Sequence, residues 1–71
     1  MIVKIEDMVV MGVYKNSRGV TFRLMNKGLS TSMGETTNGT IMVFNQEDFS
    51  VPSKEELGKF LLGDHLKGGS E

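Results

Sequence analysis

Apolar and polar positions alternate along the first two thirds of this chain in short runs, each closed by a glycine-containing turn. Over residues 8–14 the alternation gives two apolar series, Val9, Met11 and Val13 on one face and Met8, Val10, Gly12 and Tyr14 on the other. A run apolar on both faces predicts a strand covered on both sides. Residues 15–19 then predict a type I turn with Gly19 in the left-handed bulge position. A second strand over 20–25 points Val20, Phe22 and Leu24 one way and Thr21, Arg23 and Met25 the other, which predicts one wet face. Asn26, Lys27 and Gly28 predict a second reversal.

Residues 29–37 are rich in Ser and Thr and read as a weak edge strand or a loop. Asn38-Gly39 between Thr37 and Thr40 predicts a two-residue hairpin turn into the next strand. That strand, 40–45, carries Ile41, Met42, Val43 and Phe44 without alternation, so the expectation is a place near the sheet centre or under a helix. From Pro52 the period changes. Ser53 and Glu56 form a capping box, Pro52 and Leu57 occupy the staple positions, and Leu57, Phe60 and Leu61 recur at helical spacing. Gly63 falls where a C-terminal cap belongs, so the predicted helix covers 54–62.

The fold expected is α+β: an antiparallel β-meander of three to four strands, as a small SH3-like barrel or a curved sheet, packed by one C-terminal helix. Residues 1–66 form a single small domain, and 67–71, with two glycines and a serine, read as a disordered tail. A barrel of this kind is architecture and carries no function by itself.

Composition narrows the stability argument. A chain of 71 residues buries only about 60% of its unfolded surface. With no cysteine and no tryptophan, neither disulfides nor a thiolate metal site can supplement the core, so a homodimer is one way to complete it. A secreted domain this small usually carries disulfides, and charges interrupt the apolar residues at the N-terminus, so the expectation is a cytoplasmic protein with no membrane association. Asn38-Gly39-Thr40 matches a glycosylation acceptor in form, but without a secretory signal it reads as a turn.

Net charge is only −1, which excludes both an acidic mimic of nucleic acid and a strongly basic chromatin-like binder. The distribution is uneven: residues 4–27 carry +3 and residues 28–71 carry −4. An acidic helix lying over the basic hairpin would cancel that polarity.

Catalytic chemistry has little to work with. The single histidine, His65, has no companion at metal-ligand spacing. The adjacent carboxylates Glu6-Asp7, Glu47-Asp48 and Glu55-Glu56 face opposite ways on strands or lie in solvated positions. The glycine- and threonine-rich segment 28–39 lacks the lysine and the following helix of a phosphate loop. The expectation is therefore a protein that is not an enzyme and uses no cofactor or metal.

Two binding features remain. One is the basic hairpin, with Lys15, Arg18, Arg23 and Lys27 interleaved with Tyr14 and Phe22, which could contact nucleic acid. Phe22 belongs to the core series, which leaves Tyr14 as the ring available for stacking. The other is the methionine excess, in which Met25 and Met33 sit outside the core series and suit an adaptable protein contact.

The reading favoured by elimination is a small regulator or inhibitor that docks on a larger protein, for instance by adding an edge strand to the partner's sheet. Its size is that of accessory proteins encoded by bacteriophages and mobile elements. The alternative is a small β-barrel nucleic-acid binder. The first and third turns should lie at the same end of the meander and the second at the other, which splits the hairpin cations and favours the protein-binding reading.

Overall fold

A computed structural model gives the backbone of residues 2–45 and 47–69, and side chains through Gly63. Six strands, β1 (Ile2–Val3), β2 (Val13–Lys15), β3 (Thr21–Lys27), β4 (Ser32–Glu35), β5 (Ile41–Phe44) and β6 (Phe49–Ser50), form one antiparallel sheet. A 3-10 turn covers Ile5–Asp7, and a C-terminal helix, α1, covers Lys54–Gly69. The architecture is α+β, and β2 to β5 are consecutive neighbours, the meander that the turn spacing predicts. The sheet order is β1-β6-β2-β3-β4-β5, with β6 returning to pair with β2 at Lys15 and Ser50. Strands β1 and β6 each have two residues, too few for a period to register, so the sheet has six strands where the pattern predicts three to four. Its two edges, β1 and β5, do not pair with each other, and the sheet is open.

The open sheet is strongly curled. If it were flat, β5 and β6 would lie four strand spacings apart, about 19 Å. The rings of Phe44 on β5 and Phe49 on β6 are nevertheless 5.0 Å apart between centroids. Phe22 on β3 lies 5.0 Å from the first and 5.7 Å from the second, tilted against both. Together with Leu24, Ile5 and Met8 these rings fill the concave face. Each fully buried Phe or Leu side chain contributes about 1.5–3 kcal/mol, so this cluster carries most of the sheet's stability. Ser32, opposite Phe44 on β4, is buried among them, and its hydroxyl has no hydrogen-bond partner among the described residues.

Four local expectations are corrected. Residues 8–14 are not one covered strand, because the Gly12 N–H donates to the Val9 carbonyl at 2.9 Å and closes a β-turn with Met11 at φ 76°. Only Val13–Lys15 remain extended as β2, and Val9, Val10 and Met11 are exposed. The second reversal begins later than Asn26, since β3 continues through Lys27 around a bulge at Met25, leaving 28–31 as the loop. Strand β5 is an edge rather than a central strand. It turns Met42 and Phe44 inward and leaves Ile41 and Val43 53% and 67% exposed. Helix α1 runs through Gly63 to Gly69, so 67–69 of the expected tail are helical, while 70–71 lie outside the described residues. The segment 29–37 resolves into β4 over Ser32–Glu35.

Candidate protein-docking edge

The turns at one end of the meander share a construction. In the first, the Gly19 N–H donates to the Asn16 carbonyl and the Asn16 N–H to the Val20 carbonyl, both at 3.0 Å, with Gly19 at φ 85°. In the third, the Gly39 N–H donates to the Thr36 carbonyl and the Thr36 N–H to the Thr40 carbonyl, again at 3.0 Å, with Gly39 at φ 87°. Both are three-residue loops ending in a left-handed glycine. The third is therefore not the two-residue Asn-Gly turn the sequence suggests, which would need Asn38 left-handed as well. An asparagine side chain braces each loop. Asn16 Oδ1 accepts from the N–H groups of Arg18 and Val20 at 3.0 and 2.9 Å. Asn38 Oδ1 accepts from the hydroxyls of Thr36 and Thr40.

Helix α1 packs on the convex face, opposite the aromatic core. Its start is the capping box read from the sequence: the Glu56 N–H donates to Ser53 Oγ at 3.1 Å, and the Ser53 N–H donates to Glu56 Oε1 at 2.9 Å. The same carboxylate accepts from Lys15 Nζ at 3.1 and 3.2 Å. The Ser53 N–H, and after it the Lys15 ammonium, hold the Glu56 carboxyl below its ordinary 4.5. One turn further on, Phe60 is buried beneath the Arg23 guanidinium, 5.7 Å from ring centroid to Cζ. At Gly63 the helix meets Thr37, since a Cβ there would stand 3.3 Å from the Thr37 side chain. Helix α1 carries three lysines and three carboxylates, so it is neutral overall, and of the basic hairpin it neutralises Lys15 through Glu56. Leu61 and Leu62 remain exposed.

The seven residues singled out from the sequence do not form one patch. Lys15 is committed to Glu56. Arg23 donates to the Met11 carbonyl at 2.7 Å and covers Phe60. Lys27 donates to the carbonyls of Glu6 and Met8 at 3.2 and 2.9 Å. Tyr14 is half-buried against the core, and its hydroxyl accepts from the Val9 N–H at 2.9 Å. Arg18, at the tip of the first loop, is exposed, and its side chain has no partner among the described residues. Met25 and Met33 are exposed on neighbouring strands, Met25 as the extra residue of the β3 bulge and Met33 opposite Val43. The side chain of His65 lies outside the described residues. Lys4, which the sequence leaves unassigned, pairs with Asp48 at 2.6 Å, and that carboxylate raises the lysine above its ordinary 10.5.

What the sequence pattern hides is the free edge of β5. The antiparallel ladder alternates, and the Thr36–Thr40 hydrogen bond fixes its phase. Gly34–Met42 and Ser32–Phe44 are then the bonded pairs, and the backbone groups of Ile41 and Val43 point out to the open edge. Met33, Ile41 and Val43 share the convex face beside that edge, all apolar and all exposed. Two openings lie beside β5. A cleft of about 650 Å³ is bounded by both loops, by Met42 and by Glu56, Lys59 and Phe60 of the helix. A smaller gap of about 350 Å³ follows between Met42, Val43 and Phe44 of β5 and Asn16, Ser17 and Arg18 of the first loop. Glu47 closes the gap, accepting from the Ser17 N–H and hydroxyl at 3.3 and 3.1 Å.

An uninterrupted run of four apolar residues gives no sign of being an edge. The signal that could have found it is charge, because residues 36–46 are the longest uncharged stretch of the chain.

Among the described residues no group of three or more His, Cys, Asp or Glu side chains is placed to hold a metal ion, and no helix is long and apolar enough to cross a membrane. No protein-family model, curated protein or solved structure matches this chain.

Proposed function

We propose that this chain is a small non-enzymatic interaction protein, a regulator or inhibitor that docks on a larger protein by offering the free edge of β5 as a strand. The observation that supports the reading is an edge strand that carries no charge, proline or bulge and is faced only in part by the first loop and Glu47. Sheet edges in soluble proteins are blunted by charges, proline, bulges or covering segments. Strand β5 has none of the first three. Its outward backbone groups belong to Ile41 and Val43, whose side chains add apolar contact on the convex face. Main-chain pairing supplies affinity in such complexes, and the alternate side chains supply selectivity. A strand added here extends the curl of the sheet toward the small SH3-like barrel that the meander suggests.

Nucleic-acid binding is the weaker reading. Three of the four hairpin cations, Lys15, Arg23 and Lys27, are engaged within the protein, and Tyr14 uses its ring in the core and its hydroxyl in a turn. A stacking platform needs an exposed ring beside free cations.

Affinity capture of the tagged protein from its native cell tests both readings, with half of each sample treated with nuclease and Val43→Lys as a parallel bait. Val43 is exposed on the edge, so the lysine tests pairing without touching the core. The expected result is a protein partner retained after nuclease and lost with Val43→Lys. Recovery that vanishes with nuclease supports the nucleic-acid reading, and a partner indifferent to Val43→Lys removes β5 from the interface.

A further inference from the structure

The proposed docking strand leaves open what kind of segment it receives. We infer that the space beside β5 takes an extended peptide bearing an acidic side chain, with that carboxylate lodged in the 650 Å³ cleft and the peptide backbone paired to Ile41 and Val43. This rests on the reading of β5 as a docking edge.

The cleft and the gap are contiguous, because Met42, Asn16 and Arg18 line both. Together they follow the edge of β5 past the first loop to the third. A segment pairing with the edge therefore displaces Glu47 from Ser17, passes the two braced loops and reaches the helix. The cleft offers an apolar wall of Val20, Met42 and Phe60, and two cations reach it, Arg18 and Lys59. Arg18 is exposed and unengaged among the described residues. Among the described residues Lys59 has one partner, an exposed pair with Glu55, 3.8 Å away on the preceding turn, and such pairs contribute little.

Among the described residues the carboxylate that lines the cleft is Glu56, and it already accepts from Lys15 and from the Ser53 N–H. The unmet electrostatic demand of the cleft is thus for an anion, and a guanidinium meets a carboxylate with two parallel hydrogen bonds. The edge itself, within the uncharged run 36–46, neither attracts nor repels a charged segment. Recognition by charge is confined to the cleft, while pairing is carried by the main chain.

Titration of the folded, isotope-labelled protein with two synthetic heptapeptides amidated at the C-terminus tests this, one alternating Val and Glu and the other alternating Val and Lys, followed by backbone amide shifts. The expected result is that the Val/Glu peptide shifts the amides of residues 41–44 and 16–20, binding at least ten-fold more tightly than Val/Lys. Arg18→Glu should reverse the order, and Lys59→Glu should weaken the acidic peptide in the same direction. Arg18 makes no side-chain contact that the fold depends on, so an unchanged amide spectrum away from the loop will show the variant folded.

Equal binding of both peptides, shifts confined to other surfaces, or no shift at millimolar peptide of either charge overturns the inference. Failure here, combined with a captured partner that Val43→Lys releases, drops the acidic cleft and leaves the docking edge standing. Selective peptide binding with no captured partner upholds both the edge and the cleft and drops only the reading of a stable complex with a larger protein in the cell.

Discussion

Phe22 lies directly against Gly34 on the neighbouring strand: a Cβ added at Gly34 would stand 2.5 Å from Phe22 Cδ2. The contact decides where the most deeply buried ring of the core can sit. Phe22 is fully buried and touches both other rings, so it has no free space into which to retreat. Gly34→Ala should therefore destabilise the protein by about 1–3 kcal/mol, the usual cost of overpacking a filled core. In a domain of this size that lowers the melting temperature by about 4–8 °C for each kcal/mol, readable by thermal circular dichroism. An unchanged melting temperature would mean that the rings do not pack as described.

A second glycine makes the opposite prediction. Gly58 lies within α1, and a Cβ there would meet nothing within 4 Å. Glycine in an open helical position costs about 1 kcal/mol relative to alanine. Gly58→Ala should stabilise by about that amount in the same melting experiment.

These two glycines also mark how far the sequence could be read. Gly58 interrupts an otherwise regular helical pattern, and the capping box at Ser53 and Glu56 announces the helix start by local chemistry alone. The loop at Gly19 was legible for the same reason, since a left-handed bulge residue is a property of one position. The role of Gly34 was not legible, because it depends on a ring twelve residues away. Nor was the edge position of β5. Whether Ile41 and Val43 are covered is decided by β6, which passes to the far side of β2 instead of pairing with β5. Two-residue strands leave no period in the sequence, so nothing local could say that the meander's last strand would stay uncovered. The sequence shows Lys15, Arg18, Arg23 and Lys27 as the cations of the hairpin. Which of them remain available was set by the helix and by carbonyls at residues 6, 8 and 11, all long-range partners.

Met11 tests the unexpected turn. It sits at φ 76°, a left-handed conformation that costs a residue with a Cβ about 1–2 kcal/mol. Its side chain is exposed and contributes little packing. Glycine would relieve the strain at an entropic cost of about 0.5–1 kcal/mol, so Met11→Gly should be stabilising, by about 0.5–1 kcal/mol in urea unfolding. A destabilised variant would indicate that the Met11 side chain packs against something the turn geometry does not reveal.

The pairing of Glu56 with Ser53 and Lys15 gives the protein an acid limb with a predictable sign. Folding holds the Glu56 carboxyl below its ordinary value of 4.5, by the Ser53 N–H first and the Lys15 ammonium second. A group whose folded value is depressed adds stability that is present above the unfolded value and lost as the pH falls through the folded one. Unfolding free energy should therefore drop as the pH is lowered below about 4.5. Glu56→Gln should lose stability at neutral pH and show a shallower decline on acidification, because it no longer has that proton to take up. If the variant and the parent lose stability in parallel below pH 4.5, the carboxylate that ties the helix to Lys15 is not the group that titrates.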